Sequence, residues 1–178
     1  MIDTQIDNPC NVDISKVDAF QPEPVYIPSK EYQNAIEQAY AAIRTSDECV
    51  PGNFFPLKHT FANGMYIRTI YVPKGYMVLT YVHKHSHPAF QISGDTTIYE
   101  PNGKRRIKGQ QHFITAAGTQ RLCHCHKNTI WTTVHLNPTN ERDIDKIEKE
   151  LYATHYSELF LDVKKGDTNI MKLLEDSK

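Results

Sequence analysis

Three histidines stand at alternate positions in a stretch of apolar, strand-forming residues, at His83, His85 and His87. On a β-strand, alternate side chains share one face. Imidazoles crowded on one face repel each other when they are protonated, so at neutral pH such a cluster is typical of a metal site, a pH-sensitive site or a ligand pocket. An exposed strand whose histidines face water is the simpler interpretation, and the alternation alone leaves both open.

The spacing of this stretch resembles the first motif of the cupin superfamily, G-x5-H-x-H-x3-E-x6-G. Gly75 and Gly94 fill the two glycine positions, and His83 fills the second histidine position. Tyr81 and His87 stand where the first histidine and the glutamate would be. The resemblance implies a jelly-roll β-barrel and one divalent metal ion, which could be Fe, Mn, Ni or Zn.

A second register is possible for the same motif. Shifted by four residues, it pairs His85 with His87 and makes Gln91 the third ligand, but Leu79 and Ile98 then replace the two glycines. We prefer the register that keeps both glycines. The candidate metal ligands under either register are His83, His87, His85 and Tyr81.

The second cupin motif, which usually supplies the last metal-binding histidine, is matched only at Gly118. Arg121 stands in its histidine position and Ala116 in its proline position. An arginine cannot lose its proton to become a metal ligand, but it can hold a carboxylate or phosphate by two parallel hydrogen bonds. Arg121 is therefore predicted to bind an anionic ligand. His135, in the last strand, could line the same cavity, although a lone histidine in an apolar strand is more often a core residue.

The segment 61–156 is also similar to a narrower group, the small cupin-like proteins encoded by tailed bacteriophages. The resemblance is carried mainly by Val82-His83-Lys84 with His87, by the run Ala117 to Arg121 and by Thr129 to His135. That group keeps arginine and histidine at these positions but brings no established activity. It implies a homo-oligomer located in the host cytoplasm or in the virion.

The run Cys123-His124-Cys125-His126 also contains metal-ligand residue types. Structural zinc sites need two separated ligand pairs, and no second pair accompanies Cys10 or Cys49. On a strand the two cysteines face one side and the two histidines the other. If Arg121 points inward, Cys123 points inward too.

The overall composition is that of an ordinary soluble protein. The chain has 178 residues, a formal net charge of -1 and 39% hydrophobic residues. There is no electrostatic reason to expect a nucleic-acid or membrane partner, and the polar start predicts a cytoplasmic protein with reduced thiols.

The sequence divides into three predicted parts. Residues 1–56 form a polar, proline-rich arm (1–28), which could dock on other phage proteins, and a helix capped by Ser29. Residues 57–138 form the barrel, with short strands and a hairpin at Asn102-Gly103. Residues 139–178 form a helical extension. The predicted fold is mainly β, a cupin-type jelly roll with helical extensions.

Two functions fit these features. The first is a phage-encoded binding or virion-associated interaction protein, favoured by the incomplete ligand set and the polar extensions. The second is a metal-dependent oxygenase or isomerase acting on a small anionic substrate, for which no Asp or Glu lies between Gly75 and Gly94 as a carboxylate ligand. Whether the protein is an enzyme stays open.

Overall fold

We describe the protein from a computed structural model, which covers residues 26–50 and 54–156. The predicted docking arm, apart from its last residues, and the predicted tail beyond Tyr156 lie outside these ranges. Among the described residues, no helix has both the length and the apolar character needed to cross a membrane.

The described chain contains two α-helices and eleven β-strands. In chain order they are α1 (Lys30–Thr45), β1 (Leu57–Ala62), β2 (Met65–Val72), β3 (Met77–Leu79), β4 (Val82–His83), β5 (His87–Ser93), β6 (Asp95–Glu100), β7 (Gly103–Lys108), β8 (Gln111–Thr115), β9 (Leu122–Cys125), β10 (Thr129–Leu136), α2 (Ile144–Leu151) and β11 (Tyr152–Ala153).

The strands form two main antiparallel sheets. One has the order β1-β2-β10-β5-β8 and the other the order β3-β9-β6-β7. The hairpins β1-β2 and β6-β7 each stay within one sheet, and from β7 to β10 the chain alternates between the two sheets. Side chains of both sheets line one cavity. The expected cupin-type jelly roll is confirmed by this arrangement.

Local signals explain how several elements begin and end. The Ser29 side chain accepts the N–H of Tyr32 and so caps α1, as predicted. The hairpin of β6 and β7 turns at Asn102-Gly103, where Gly103 has a positive φ of 116°. Asp143 caps α2 by accepting the N–H groups of Asp145 and Lys146.

The two helices pack on the barrel at different places. The Tyr32 hydroxyl of α1 donates to the carbonyl oxygen of Gln120 at 2.9 Å, which holds the helix against the barrel just before β9. Ile147 and Leu151 of α2 pack against Tyr66 of β2. Directly after α2, β11 pairs with β4, so that Tyr152 lies beside His83.

Candidate functional site

The inward faces of the two sheets line one large cavity, the lumen of the barrel, together with α1 and residues 46–50. Its volume is about 1240 Å³. Because side chains alternate along each strand, every second residue faces this space. The apolar part of the lining includes Ile70, Val78, Ala89, Ile98, Phe113 and Trp131. The polar part includes Arg68, Thr133, Arg121, His83 and His87.

Three imidazoles lie ring against ring, and two of them, His83 and His87, line the lumen. His83 comes from β4, His87 from β5 and His135 from β10. The ring centroids of His83 and His87 are 4.5 Å apart, and those of His87 and His135 are 4.3 Å apart. The three residues are 9%, 3% and 3% exposed. The fold therefore brings together two predicted metal ligands, His83 and His87, and one predicted ligand-binding residue, His135. We call this group the histidine cluster.

The hydrogen bonds of the cluster leave two ring nitrogens without a partner. Nδ1 of His87 lies 3.1 Å from the carbonyl oxygen of His85 and must donate to it, since a carbonyl only accepts. Nε2 of the neutral His87 ring is then an acceptor, and it is buried with no partner. Nδ1 of His83 is also buried with no partner. Nε2 of His135 is hydrogen-bonded to Thr133 Oγ1 at 2.9 Å.

The cluster is uncharged at neutral pH. Burial lowers the pKa of His83 well below its usual value, and the neighbouring imidazoles lower it further. Burial also lowers the pKa of His87 to about 4 and, together with electrostatic repulsion between the two imidazoles when both are protonated, that of His135 to about 3. The three rings are thus neutral, and those of His83 and His87 present lone pairs and N–H groups to the lumen.

Tyr152 closes one side of the cluster. Its ring centroid lies 5.3 Å from that of His83 and 6.1 Å from that of His135, both in edge-on contacts. Burial raises the pKa of its hydroxyl. Sequence reasoning missed Tyr152, because a strand of two residues leaves no periodic signal and its pairing with β4 is a long-range contact.

The other two predicted metal ligands lie outside the cluster. Tyr81 is 56% exposed, and its ring stacks on Tyr152 at 5.8 Å rather than meeting the imidazoles. The His85 side chain is exposed, and only its carbonyl oxygen reaches the cluster. Gln91, the third ligand of the alternative register, is buried on β5, where its amide nitrogen donates to the carbonyl oxygen of Gly109 at 2.7 Å.

Arg121 faces the lumen as predicted, but it already has a negative partner. Its Nε donates to Oε2 of Glu100 at 2.9 Å, and its NH1 donates to Oγ1 of Thr115 at 2.8 Å. Glu100 also accepts a hydrogen bond from Nε of Arg105 at 2.6 Å. The carboxylate thus compensates the charge that was expected to hold an anionic ligand. Cys123 lines the same cavity, and burial raises the pKa of its thiol to about 12, so it is a neutral wall residue.

Arg68 is a functional candidate that sequence reasoning missed. It lies on β2 between Tyr66 and Ile70, in the inward alternation of the strand, and it lines the lumen. Its Nε is buried and has no hydrogen-bond partner. The signal was present in the run Met65 to Val72, where a cation occupies a position that the alternation predicts to face inward.

Comparisons with known proteins find similar structures without related sequences. No protein-family model matches the sequence, and no curated protein matches it. A cupin-2 domain protein from Shewanella frigidimarina is similar to the chain with a TM-score of 0.40 and 6% identity, over 57% of this chain and 91% of that one. A double-stranded β-helix protein from Klebsiella pneumoniae is similar with a TM-score of 0.42 and 17% identity, over 52% of this chain and 85% of that one. Ectoine synthase from P. lautus is similar with a TM-score of 0.46 and 12% identity, over 64% of this chain and 84% of that one.

The fit of the cluster to a metal ion is incomplete. The buried lone pairs of His83 and His87 have the chemistry that an imidazole ligand needs. Within residues 26–50 and 54–156, however, no group of three or more His, Cys, Asp or Glu side chains is arranged to hold a metal ion. His135, the nearest third imidazole, has its Nε2 bonded to Thr133. As the side chains stand, the site lacks a full set of ligands.

Proposed function

We propose that this cupin-type barrel is a binding protein that takes a small organic molecule into its lumen. The observation that carries the proposal is the cavity itself, about 1240 Å³ in volume, with a mainly apolar lining and a few converging polar groups. Small-molecule sites in proteins typically have this character. The lumen is large enough for a molecule of metabolite size together with several waters.

The unpartnered polar atoms at the wall support the same proposal. Besides His83 Nδ1 and His87 Nε2, these atoms include the hydroxyl of Tyr156, which also lines the lumen. A buried polar atom without a hydrogen bond costs roughly 1–3 kcal/mol. A ligand or ordered water that bonds to these atoms recovers this free energy, so their arrangement favours an occupied lumen.

The resemblance to phage-encoded proteins extends the proposal to the setting of the protein. In this proposal the barrel is encoded by a phage and works in the host cytoplasm or the virion, as a homo-oligomer or beside other phage proteins. Residues 1–28 are the proposed docking segment. Support comes from the sequence motifs quoted above and from the polar composition of the arm.

Binding in the lumen is tested by filling it. Ala89 is buried at the wall beside His87 on the same strand, and Ala89→Phe would project a ring into the cavity where the polar groups converge, whereas Ala62→Phe places the same ring at an exposed, outward position of β1. Ligand-observed NMR with a library of neutral and charged small compounds should find binders to the wild type and to A62F, but not to A89F. Thermal melts confirm that both variants are folded. Binding that survives in A89F, or no binder to the wild type, contradicts the proposal.

A metal-dependent enzyme is the second candidate, favoured by the two buried ring nitrogens that have no partner. Its test is elemental analysis of protein purified without a His-tag, before and after incubation with Fe, Mn, Ni or Zn. Near-stoichiometric metal that is lost in His83→Ala and His87→Ala, but kept in His85→Ala, would support it. The exposed His85 side chain makes H85A the matched control. A wild type that takes up none of these metals would contradict it.

A further inference from the structure

Arg68 is a cation at the lumen wall without a negative partner. It lies on a central strand, opposite His59 of β1 and Thr133 of β10. No ion pair within the described ranges involves Arg68, and its Nε is buried without a hydrogen bond. Its charge reaches the histidine cluster, since it adds to burial and to the neighbouring imidazoles in lowering the pKa of His83 and His135.

None of the other ionisable groups described around the lumen forms an ion pair with Arg68. Glu37, Asp47 and Glu48 also line the cavity, but they are exposed to water. Glu100 is already shared between Arg121 and Arg105. Glu148 of α2 acts electrostatically on Tyr66 and Tyr152, as Arg68 does, yet it forms no ion pair with Arg68. The cluster is neutral. One positive charge therefore remains for a ligand to balance, because a buried charge without a counter-charge is costly.

We infer that Arg68 anchors the carboxylate of the lumen ligand, which makes that ligand a small monoanionic carboxylic acid with an apolar or aromatic body. This step rests on the proposed function, small-molecule binding in the lumen. The planar guanidinium can hold a carboxylate through two parallel hydrogen bonds. A phosphomonoester carries roughly -1.5 to -2 charges at neutral pH, which is more than the one charge of Arg68 balances.

The body of the ligand is indicated by the lining around Arg68. Ile70 follows Arg68 on the inward face of the same strand, and Trp131 pairs with Ile70 on the neighbouring strand. The ring of Trp131 meets that of Phe113 edge-on at 5.7 Å. This apolar wall is suited to a hydrocarbon or aromatic group, while the neutral imidazoles are suited to a hydroxyl or amine on the same molecule.

The test is calorimetric titration with benzoate, phenylacetate and 3-phenylpropionate, each beside its own amide, and with inorganic phosphate. Arg68→Met removes the charge, and Arg68→Lys keeps the charge but not the forked geometry. Arg106→Met is the matched control, because Arg106 is a strand arginine that faces away from the lumen and pairs with Asp95. Thermal melts establish that each variant is folded.

In the wild type we expect at least one acid to bind roughly tenfold or more tightly than its amide. R68M should remove this preference, R68K should reduce it, and R106M should leave it intact. If acid and amide bind equally to the wild type, or if the preference for the acid survives in R68M, Arg68 does not bind the carboxylate. The proposal that the lumen binds a small molecule is then unaffected. Stronger binding of phosphate than of every acid overturns the monoanion class. If neither acids nor amides bind, the proposed function fails together with the inference.

Discussion

The Nε of Arg121 donates to Oε2 of Glu100 at 2.9 Å, and this ion pair decides which arginine of the lumen is available to a ligand. The two side chains are 10% and 19% exposed, so the pair is largely withdrawn from water. Arg68 faces the same cavity without such a partner. Two arginines that line the same lumen therefore have different roles, one stabilising the barrel and the other open to an anion.

Glu100→Gln should destabilise the protein, because Arg121 keeps its charge and loses its counter-charge. Removal of one partner from a buried ion pair costs several kcal/mol, and partial exposure reduces this to about 2–3 kcal/mol in the free energy of unfolding. Arg105→Gln is the control, since it breaks the more exposed pair to Glu100 and the contact of the Arg105 guanidinium with the Phe113 ring, 4.2 Å away, and should cost about 1 kcal/mol. Urea denaturation measures both. Equal losses of unfolding free energy in the two variants would show that the ion pair between Arg121 and Glu100 does not stabilise the fold.

Arg68→Met should behave in the opposite way when no ligand is present. It removes a partly buried charge without a partner and replaces it by an apolar side chain of similar length, which should stabilise the fold by about 1 kcal/mol. The melting temperature of ligand-free R68M should therefore lie a few degrees above that of the wild type. A loss of stability similar to that of E100Q would mean that Arg68 is itself part of the structural framework.

Much of the lumen was predictable because alternation along a strand is a local property. Cys123 was expected to face inward if Arg121 did, and both line the lumen. His83, His85 and His87 were expected to share one face of a strand, but β4 ends at His83, β5 begins at His87, and His85 is exposed between them. The helix that begins after Ser29 and the hairpin at Asn102-Gly103 follow from local capping and turn signals, and both are confirmed.

The remaining features of the site depend on long-range contacts. The contact of Tyr152 with His83 requires β11 to pair with β4, across more than a third of the chain. Glu100 becomes the partner of Arg121 only because β6 and β9 are neighbours in the sheet. Tyr81 and Arg121 were assigned by the spacing of a motif, which fixes neither exposure nor the choice of partner.

The histidine cluster should make the protein sensitive to mild acid. In the unfolded chain each histidine takes up a proton near pH 6.5, whereas in the fold burial keeps the pKa of His87 at about 4 and that of His135 at about 3. The unfolded state thus binds more protons below pH 7, and stability falls as the pH is lowered from about 7 toward 4. The slope is up to about 1.4 kcal/mol per pH unit for each histidine that stays neutral.

Chemical denaturation between pH 5 and 7 in the presence of a chelator measures this slope, in a range (~5–7) where ordinary carboxylates stay ionised. His87→Asn should lower the slope, since one fewer group takes up a proton on unfolding. A wild type whose stability is flat over this range would show that the cluster is protonated in the fold, which contradicts its neutral state.

Gly118 should tolerate no larger residue, because a side chain at this position would collide with the neighbouring backbone. This steric cause is distinct from the strain of its positive φ. Its φ is +82°, and a Cβ at this position would overlap the carbonyl oxygen of Tyr26. The N–H of Gly118 donates to the carbonyl oxygen of His83 at 2.7 Å, and the N–H of Tyr26 donates to that of Ala117 at 2.8 Å. Gly118 thus joins the histidine cluster to the segment that leads into α1.

Gly118→Ala is expected to cost several kcal/mol and to increase hydrogen exchange across α1, because the Tyr26 segment must move away from the barrel. Gly64→Ala is the matched control. Gly64 has a similar φ of +72°, but a Cβ there meets no atom, so its substitution carries only the conformational cost of about 1 kcal/mol. The stability that G118A loses beyond the loss in G64A measures the contribution of the close contact between Gly118 and Tyr26. If both variants lose the same stability and exchange in α1 is unchanged, the contact does not hold α1 on the barrel.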